Sequence, residues 1–600
     1  MKLMRRVIVA LLAVAMAASS LVACGKDNGT GKDELVTLDC YSQLANFQGK
    51  QGGWFGALLK EEFNVELNII KESDNTFATR MESGNLGDIV VFGNSGENYL
   101  AAVKAGLLLD WNSYDLLTNY GSYIKEHMPA ALANNAKISG DKGITYGIGH
   151  SVALNSEDHD EFFYSWDLRY DYYAELGYPE IKDLDDLFDV FVQMKEKHPT
   201  DDNGKETYAV SIWPDWDGNM VMYPKSLATA YYGYDEFAIG LYNNETGEFY
   251  DPLMVKDDGT YGPYLEMLQY FNRLYQAGLL DPDSGTQKYD DAIAKVKSGR
   301  TFWSIFNYAG SAAYNTEANT SAGKGMYPVT PEEATPCVYG LNPNGGNRIW
   351  TIGAKTKYPE KCMQILNYLC TPEGFLNSEY GPKGLCWYYD DNGLTCFTEL
   401  GKKCQADTST MMESDDPKFE VYTGAKFKDG QQQINNLTWA RNATNPDNNE
   451  KFNYKYWASN QTEAVKDSAD ADWREHTGCD TADQYLNSRK LADGSPAYSV
   501  AVATGYAEGA KSKELKVVWK QVTDAIIKGS WRAITAKDDA TFKAEVDDMI
   551  KNANAYDNGN GYKECVEWSV KEAERRHNME EEVRSAEKGT NYCDTKQKSR

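Results

Sequence analysis

The stretch LGDIVVF at residues 86–92, followed directly by GNSG at residues 93–96, decides the fold. Its first part is a short continuous apolar run, which is typical of a strand buried on both faces of a sheet. Its second part contains the glycine, asparagine and serine residues that end such strands. A helical pattern then covers residues 99–104. The order of strand, turn and helix predicts an α/β sheet.

The same order occurs upstream of this stretch. Residues 35–41 alternate like a strand, residues 54–63 have the pattern of an amphipathic helix, and ELNII at residues 66–70 predicts a second strand. Alternating strands and helices predict a mostly parallel sheet. Ligands of such sheets bind beyond the carboxyl ends of the strands, where residues 42–43 and 92–95 fall.

The N-terminus has the pattern of a bacterial export signal. A positive start is followed by an apolar stretch at residues 7–17 that is too short for a comfortable membrane span. LVAC at residues 21–24 resembles a lipobox, so we expect residues 1–23 to be removed and Cys24 to be lipidated. The alternatives are an ordinary signal peptide with an incidental cysteine and an uncleaved anchor. Residues 24–33 have the composition of a flexible tether.

Charge and motifs exclude several classes of protein. Removing residues 1–23, which carry three positive charges and no negative ones, changes the formal charge from −28 to −31, which argues against nucleic acid as a partner. The ten remaining cysteines either form disulfides or are small buried residues. Neither they nor the 6 histidines show metal-ligand spacing, so we expect no metal and no cofactor. No nucleophile elbow, P-loop or dinucleotide fingerprint is present, which indicates a protein that is not an enzyme.

Aromatic residues make up 12% of the chain, with 41 tyrosines and 14 tryptophans. These side chains combine a flat apolar face with a hydrogen-bonding edge. A sugar presents C–H groups on one face and hydroxyls around its rim, so an aromatic platform flanked by carboxylates and amides suits it. The same aromatics and carboxylates leave a surface glycan hydrolase open as an alternative.

A series of short motifs, taken in order, carries a family resemblance. The sequence resembles the extracellular solute-binding proteins of family 1, the maltose-binding-protein-like lipoprotein receptors of bacterial ABC sugar importers. The motifs are DIVVF (88–92), AGLLLDW (105–111), ITYGI (144–148), SWDLR (165–169), LGYP (176–179), LDDL (184–187), LYQAGLLD (274–281), VKSGRTFW (296–303) and KTKYPEKC (355–362). One departure is Gly149-His150, where a proline is common in the family.

The resemblance implies an α/β, two-lobed periplasmic-binding-protein fold of type II with discontinuous lobes. We expect residues 34–150 and 338–400 to form the first lobe. Residues 151–337 and 401–579 are expected to form the second lobe, including a helical C-terminal extension that packs on it. Residues 580–600 are highly charged, and we expect a disordered tail there.

The resemblance also carries over a set of ligand-binding residues at strand ends and crossings. The set is Tyr41, Ser42, Gln43, Trp54, Phe92, Asn94, Ser95, His150, Ser151, Trp213, Asp215, Trp216, Phe306, Asn307, Tyr308 and Trp387. Residues 215–219 (DWDGN) also look like half of a calcium loop, but the bidentate glutamate of a full loop is missing.

The function implied is a monomeric receptor on the cell surface, held to the outer face of the cytoplasmic membrane only by its N-terminal lipid. It would capture a carbohydrate, with an oligosaccharide as the expected cargo, and deliver it to ABC permease subunits. A peptide or another small polar solute is the alternative cargo for the same receptor.

Overall fold

A six-stranded sheet forms the centre of the first lobe in the computed structural model. The structure describes residues 35–589 except 74, 141–142, 155–157, 342, 462–463, 465 and 505. The predicted signal peptide, Cys24, the tether up to residue 33 and the chain from residue 590 onward lie outside the described residues. Among the residues described, no helix combines the length and apolar content needed to cross a membrane.

The N-terminal part of the first lobe has the predicted alternation of strands and helices. Its elements are β1 (Val36–Ser42), β2 (Gly49–Lys50), α1 (Gly53–Phe63), β3 (Val65–Lys71), α2 (Thr76–Ser83), β4 (Ile89–Phe92), α3 (Glu97–Lys104), α4 (Leu116–Asn119), α5 (Ser122–His127), α6 (Pro129–Ile138) and β5 (Gly147–Gly149). β1 pairs in parallel with β3 and β4, as the sequence predicts. Apolar cores lie on both faces of the sheet, because alternate residues of β1 and β4 point to opposite faces.

The second lobe follows β5 and is built on an antiparallel sheet in the order β10-β6-β11. The sheet of the first lobe is mixed: β1 pairs in parallel with β3 and β4, whereas β2 is antiparallel to β3, and the strand Ile349–Ile352 is antiparallel to β4 and β5. The mostly parallel sheet expected from the sequence is therefore found only around β1. Its elements are β6 (Tyr164–Arg169), α7 (Tyr170–Glu175), α8 (Leu184–Lys197), α9 (Met222–Tyr232), β7 (Tyr234–Phe237), β8 (Gly240–Asn243), β9 (Phe249–Tyr250), α10 (Pro263–Gln276), α11 (Tyr289–Lys297), β10 (Trp303–Phe306), α12 (Ser311–Tyr314), α13 (Glu317–Ser321), β11 (Met326–Pro328) and β12 (Cys337–Tyr339).

The chain then returns to the first lobe, where β13 completes the sheet between β4 and β5. This return makes the lobes discontinuous. The elements of this part are β13 (Ile349–Ile352), α14 (Pro359–Cys370), α15 (Pro372–Tyr380), β14 (Trp387–Tyr389), β15 (Thr395–Phe397), α16 (Glu399–Ala406) and α17 (Phe427–Gly430).

Two lobe boundaries differ from the prediction. Residues 401–457 belong to the first lobe, since Trp439, Phe452 and Trp457 are buried in its core and the Trp439 indole donates to the Cys370 carbonyl at 2.6 Å. β12 was expected in the first lobe, but it pairs in parallel with β16 (Ser499–Ala501) beside the second lobe.

The C-terminal extension is helical and packs on the second lobe, as expected. It comprises α18 (Ala469–Thr477), α19 (Ala482–Ser488), β16, α20 (Lys513–Ile534), α21 (Asp539–Ala553) and α22 (Gly561–Gly589). Trp519, Ile526 and Phe542 share one apolar core with α10. The Asn272 side chain of α10 donates to the carbonyls of Ile534 and Ala536 at 3.0 and 2.7 Å.

The last helix extends into the stretch where a disordered tail was expected. α22 continues to Gly589, and Glu580 is fully buried. Its carboxylate accepts hydrogen bonds from the Tyr242 hydroxyl at 2.7 Å and from Arg576 Nε at 2.8 Å. A buried charge needs such partners, so α22 packs on the second lobe at Glu580.

Candidate functional site

A cleft runs between the two lobes, and its first part lies beside the segments that connect them. This part is a pocket of about 510 Å³. Both lobes line it, with Ser151, Leu437, Arg441, Asn442 and Asn453 on one side and Asp160, Glu161, Phe163 and Tyr339 on the other. Most of these side chains are polar, so this part of the cleft offers many hydrogen-bonding groups.

The second part of the cleft is a pocket of about 520 Å³ with an aromatic wall, formed by Phe163, Tyr164, Trp216, Phe306 and Tyr308. Phe306 and Tyr308 are stacked with ring centroids 5.1 Å apart, and Phe163 lies 5.3 Å from Tyr308. Trp216 is 47% exposed and Phe163 is 40% exposed, although they lie among buried rings. Flat apolar faces are therefore open to the cleft.

Polar groups surround this aromatic wall. Lys225 Nζ and Glu236 Oε1 form an ion pair at 2.5 Å, and Glu236 remains 41% exposed while Lys225 is buried. The Glu236 carboxylate is thus free to accept further hydrogen bonds. Burial raises the pKa of Tyr308, so its phenol stays protonated at neutral pH and keeps a donor.

The third part of the cleft is a groove of about 1210 Å³ between α3 of the first lobe and the C-terminal extension. It includes Asn94 and Ser95, which follow β4, and it shares Glu236 with the aromatic pocket. The first two pockets share Phe163 and Tyr339. The three parts therefore lie next to one another along the cleft, an arrangement that suits an elongated ligand.

The loop formed by residues 213–219, here called the platform loop, presents Trp216 to the cleft. Buried Trp213 supports the Trp216 ring edge-on at 5.5 Å, and Tyr289 lies 4.6 Å from it. Asp215 Oδ2 accepts the backbone N–H of Tyr289 at 3.0 Å, which ties the loop to the start of α11. Local contacts thus fix the position of the exposed ring.

The comparison with protein families identifies the chain. The family model described as "Bacterial extracellular solute-binding protein" matches residues 55–378, more than half of the chain. The chain belongs to this family. The predicted resemblance to extracellular solute-binding proteins is thereby confirmed.

Individual relatives of this solute-binding protein are distant. Lipoprotein LipO of Bacillus subtilis (strain 168) is 24% identical over 240 residues, which cover 40% of this chain and 41% of that relative. An HMO-binding, ABC-transporter-associated solute-binding protein from Bifidobacterium longum infantis ATCC 15697 superposes with a TM-score of 0.53 at 14% identity, covering 91% of this chain and 99% of the other. An extracellular solute-binding protein from Bifidobacterium longum subsp. infantis gives 0.51 at 13% identity, with 92% and 99% covered. These likenesses confirm the type II fold.

The cleft of this solute-binding protein contains six of the residues proposed from the sequence. They come from both lobes and from all three parts of the cleft. They are Asn94, Ser95, Ser151, Trp216, Phe306 and Tyr308.

Six other proposed residues lie in the interior instead of at the cleft. They are Tyr41, Ser42, Trp54, Phe92, Trp213 and Trp387, all nearly or fully buried. The Trp387 indole donates to Asn377 Oδ1 and to the Gly381 carbonyl, and Trp54 stacks on Phe427 at 5.3 Å. Their polar atoms and ring faces are used within the protein, except that the buried Trp213 indole N–H has no partner among the described residues.

The remaining four proposed residues hold the backbone in place. Gln43 Oε1 accepts the N–H of Gly93 at 3.0 Å and so joins two strand ends. His150 Nδ1 accepts the N–H of Arg348, and burial lowers the pKa of its imidazole to about 4. Asn307 donates to the Phe162 carbonyl at 3.1 Å, and Asp215 binds the start of α11 as described above.

The half calcium loop uses its oxygens for protein contacts. Asp217 Oδ2 accepts the Trp531 indole N–H at 2.7 Å, and Asn219 Oδ1 accepts the Trp519 indole N–H at 3.0 Å. Within the part of the chain that the structure describes, no group of three histidine, cysteine or acidic side chains is arranged to hold a metal.

Several cleft residues were missed from the sequence. Phe163 and Tyr164 lie in the aromatic run FFY at residues 162–164, directly before the SWDLR motif, and this run was an available signal. Arg441 and Asn442 fall in residues 401–457, which the sequence assigned to the other lobe, and no short motif marks them.

Proposed function

We propose that this protein is the substrate-binding lipoprotein of an ABC importer and that it captures an oligosaccharide in the interlobe cleft. The observation that carries the proposal is the half-exposed pair of rings, Trp216 and Phe163, within a cleft whose other wall is polar. Sugars stack on exposed aromatic faces while their hydroxyls bond to carboxylates and amides.

The three neighbouring pockets of the cleft support a ligand of several units. The aromatic part of the cleft lies between two polar parts, so the rings would hold one sugar while neighbouring sugars make hydrogen bonds on either side. The HMO-binding protein with the same fold, which is associated with an ABC transporter, agrees with this cargo class. Binding would close the lobes around the ligand by bending the connecting segments, and no bond in the ligand would be broken.

The proposal also includes a lipid anchor at the N-terminus. Lipidation at Cys24 would keep the loaded receptor at the outer face of the cytoplasmic membrane, where its effective concentration at the permease is high. Cys24→Ser should leave ligand binding unchanged and release the protein from the membrane, as fractionation of cells would measure.

The binding test uses calorimetry with a panel of oligosaccharides derived from maltose, cellulose, mannan and fructan, and a parallel panel of peptides. Trp216→Ala should weaken the tightest panel oligosaccharide by at least about 1 kcal/mol, roughly fivefold in Kd. Binding of peptides alone would favour the peptide cargo. Release of reducing ends, abolished in Glu236→Gln, would indicate a glycan hydrolase.

A further inference from the structure

The platform loop is also held by the C-terminal extension, which lies outside the aromatic wall of the cleft. Two tryptophans of α20 donate their indole N–H groups to the loop, one to Asp217 at 2.7 Å and the other to Asn219 at 3.0 Å. These residues follow Trp216 by one and three positions. This short stretch therefore helps to position the Trp216 ring, together with the contacts of Trp213, Asp215 and Tyr289 described above.

A third contact connects α20 to the end of the same segment. Ser530 of α20 and Tyr264 of α10 share a hydrogen bond at 2.8 Å, and the Tyr264 hydroxyl accepts the N–H of Val221 at 3.0 Å. Val221 directly precedes α9. Three groups of this segment are therefore linked to α20. The Asp217 and Asn219 side chains bond to it directly, and the Val221 amide bonds to it through Tyr264.

Contacts within the second lobe hold the same segment from the other side. Asp217 Oδ1 accepts the N–H of Met222 at 2.8 Å, and Asn219 Nδ2 donates to the Ala238 carbonyl at 2.6 Å. Each side chain therefore joins the loop to the lobe with one atom and to α20 with the other. Desolvation raises the pKa of Asp217 to about 6, which indicates how little water solvates this carboxylate. A lost indole donor would not be replaced at low cost.

We propose that α20 is a positioning element for ligand binding, in which Trp531 and Trp519 hold the platform loop so that Trp216 faces the cleft. The C-terminal extension then influences the affinity for a carbohydrate through the position of Trp216, in addition to lining the third part of the cleft. This inference rests on the proposed function of the cleft, but the position of Trp216 is measurable without any ligand.

The first experiment needs no ligand. The protein is labelled with 5-fluorotryptophan, and the ¹⁹F resonance of Trp216 is assigned by its loss in Trp216→Ala. Trp531→Phe, and to a smaller extent Trp519→Phe, should shift or broaden this resonance. The matched control is Trp568→Phe, because Trp568 lies in the same extension, 5.3 Å from Trp519, and among the described residues its indole makes no hydrogen bond to the loop. An unchanged Trp216 resonance in both folded loop variants would overturn the proposal.

The second experiment is a double-mutant cycle with the tightest oligosaccharide of the panel. Trp531→Phe should weaken binding in the wild-type background by up to about fivefold, no more than Trp216→Ala itself, and should have no further effect in Trp216→Ala. Equal weakening in both backgrounds would show a general structural effect and would overturn the proposal. If Trp531→Phe does not fold by circular dichroism, Trp519→Phe takes its place in the same cycle.

The double-mutant cycle distinguishes a wrong carbohydrate platform from a wrong positioning role of α20. If Trp216→Ala binds as tightly as wild type, the carbohydrate platform itself is wrong, whatever the fluorine spectra show. If Trp216→Ala binds weakly while both loop variants bind like wild type, the platform stands and the positioning role of α20 is wrong.

Discussion

The first lobe buries the tryptophans that the sequence suggested as ligand contacts, whereas the second lobe exposes two aromatic rings to the cleft. In the first lobe, Trp54, Trp387 and Trp439 are buried, and each indole donates to a carbonyl or amide oxygen of the same lobe. In the second lobe, Phe163 and Trp216 leave about half of their surface open. The comparison teaches that aromatic content alone does not mark a ligand platform, because partners and exposure decide which rings are available.

The largest expected effect concerns a buried indole of the first lobe. Trp387→Ala should lower the free energy of unfolding by about 3–5 kcal/mol, since it opens a cavity and leaves the Gly381 carbonyl without its donor. Urea unfolding followed by circular dichroism measures this. The neighbouring Tyr388 is 42% exposed, so Tyr388→Ala serves as the control and should cost far less. Equal losses in the two variants would contradict the division between buried and exposed rings.

The second prediction concerns the dependence of the second lobe on its extension. Glu580→Gln should destabilise the protein by about 2 kcal/mol, because Arg576 loses one of its two buried carboxylate partners while Asp235 remains. Glu581→Gln is the control on the same helix, since Glu581 is 52% exposed and pairs with Arg584 at the surface. If both variants unfold at the same urea concentration as wild type, α22 contributes little to the stability of the lobe.

The sequence carried enough information to predict the first sheet, the two-lobed fold and the helical extension. Apolar runs such as residues 86–92 and long amphipathic helices have a clear period. Residues 401–457 contain only short helical segments and loops, so no period indicated that they pack on the first lobe, and Arg441 was missed with them.

The candidate site was harder to predict, because a motif gives the strand end but not the direction of each side chain. Phe92 and Asn94 are two residues apart, yet Phe92 packs between Phe77 and Tyr99 while Asn94 lies at the cleft. Trp213 and Trp216 were proposed together, and only the latter is exposed. Which ring is buried depends on distant elements, in this case α11 and α20, whose positions follow from tertiary packing.

The third prediction tests whether ligand binding depends on where an exposed ring lies or on its exposure alone. Phe163 of the cleft is 40% exposed, and Tyr388 of the first lobe is 42% exposed. Phe163 lines the cleft, whereas Tyr388 is not among the described residues that line its three parts. Phe163→Ala should weaken the tightest panel oligosaccharide by about 1–1.5 kcal/mol, and Tyr388→Ala should not change its Kd. Calorimetry on both variants decides this, and equal effects would mean that the aromatic wall has no special role.

The smallest expected effect concerns the acceptors of the indole hydrogen bonds. In the first lobe these acceptors are neutral oxygens, but Trp531 of the second lobe donates to the Asp217 carboxylate. Because desolvation raises the pKa of Asp217 to about 6 in the folded protein, its stabilising contribution is present in full below the unfolded pKa, near 3.8, and is lost as the pH rises through about 6.

Asp217→Asn removes this titration. Between pH 5 and pH 6 the wild type should therefore lose about 1 kcal/mol of unfolding free energy relative to Asp217→Asn. Urea unfolding at four pH values measures the difference, and Asp215→Asn on the same exposed loop is the control. Parallel pH profiles of wild type and Asp217→Asn would show that Asp217 is solvated in the folded state. The platform loop would then be no more sensitive to pH than the neutral hydrogen bonds of the first lobe.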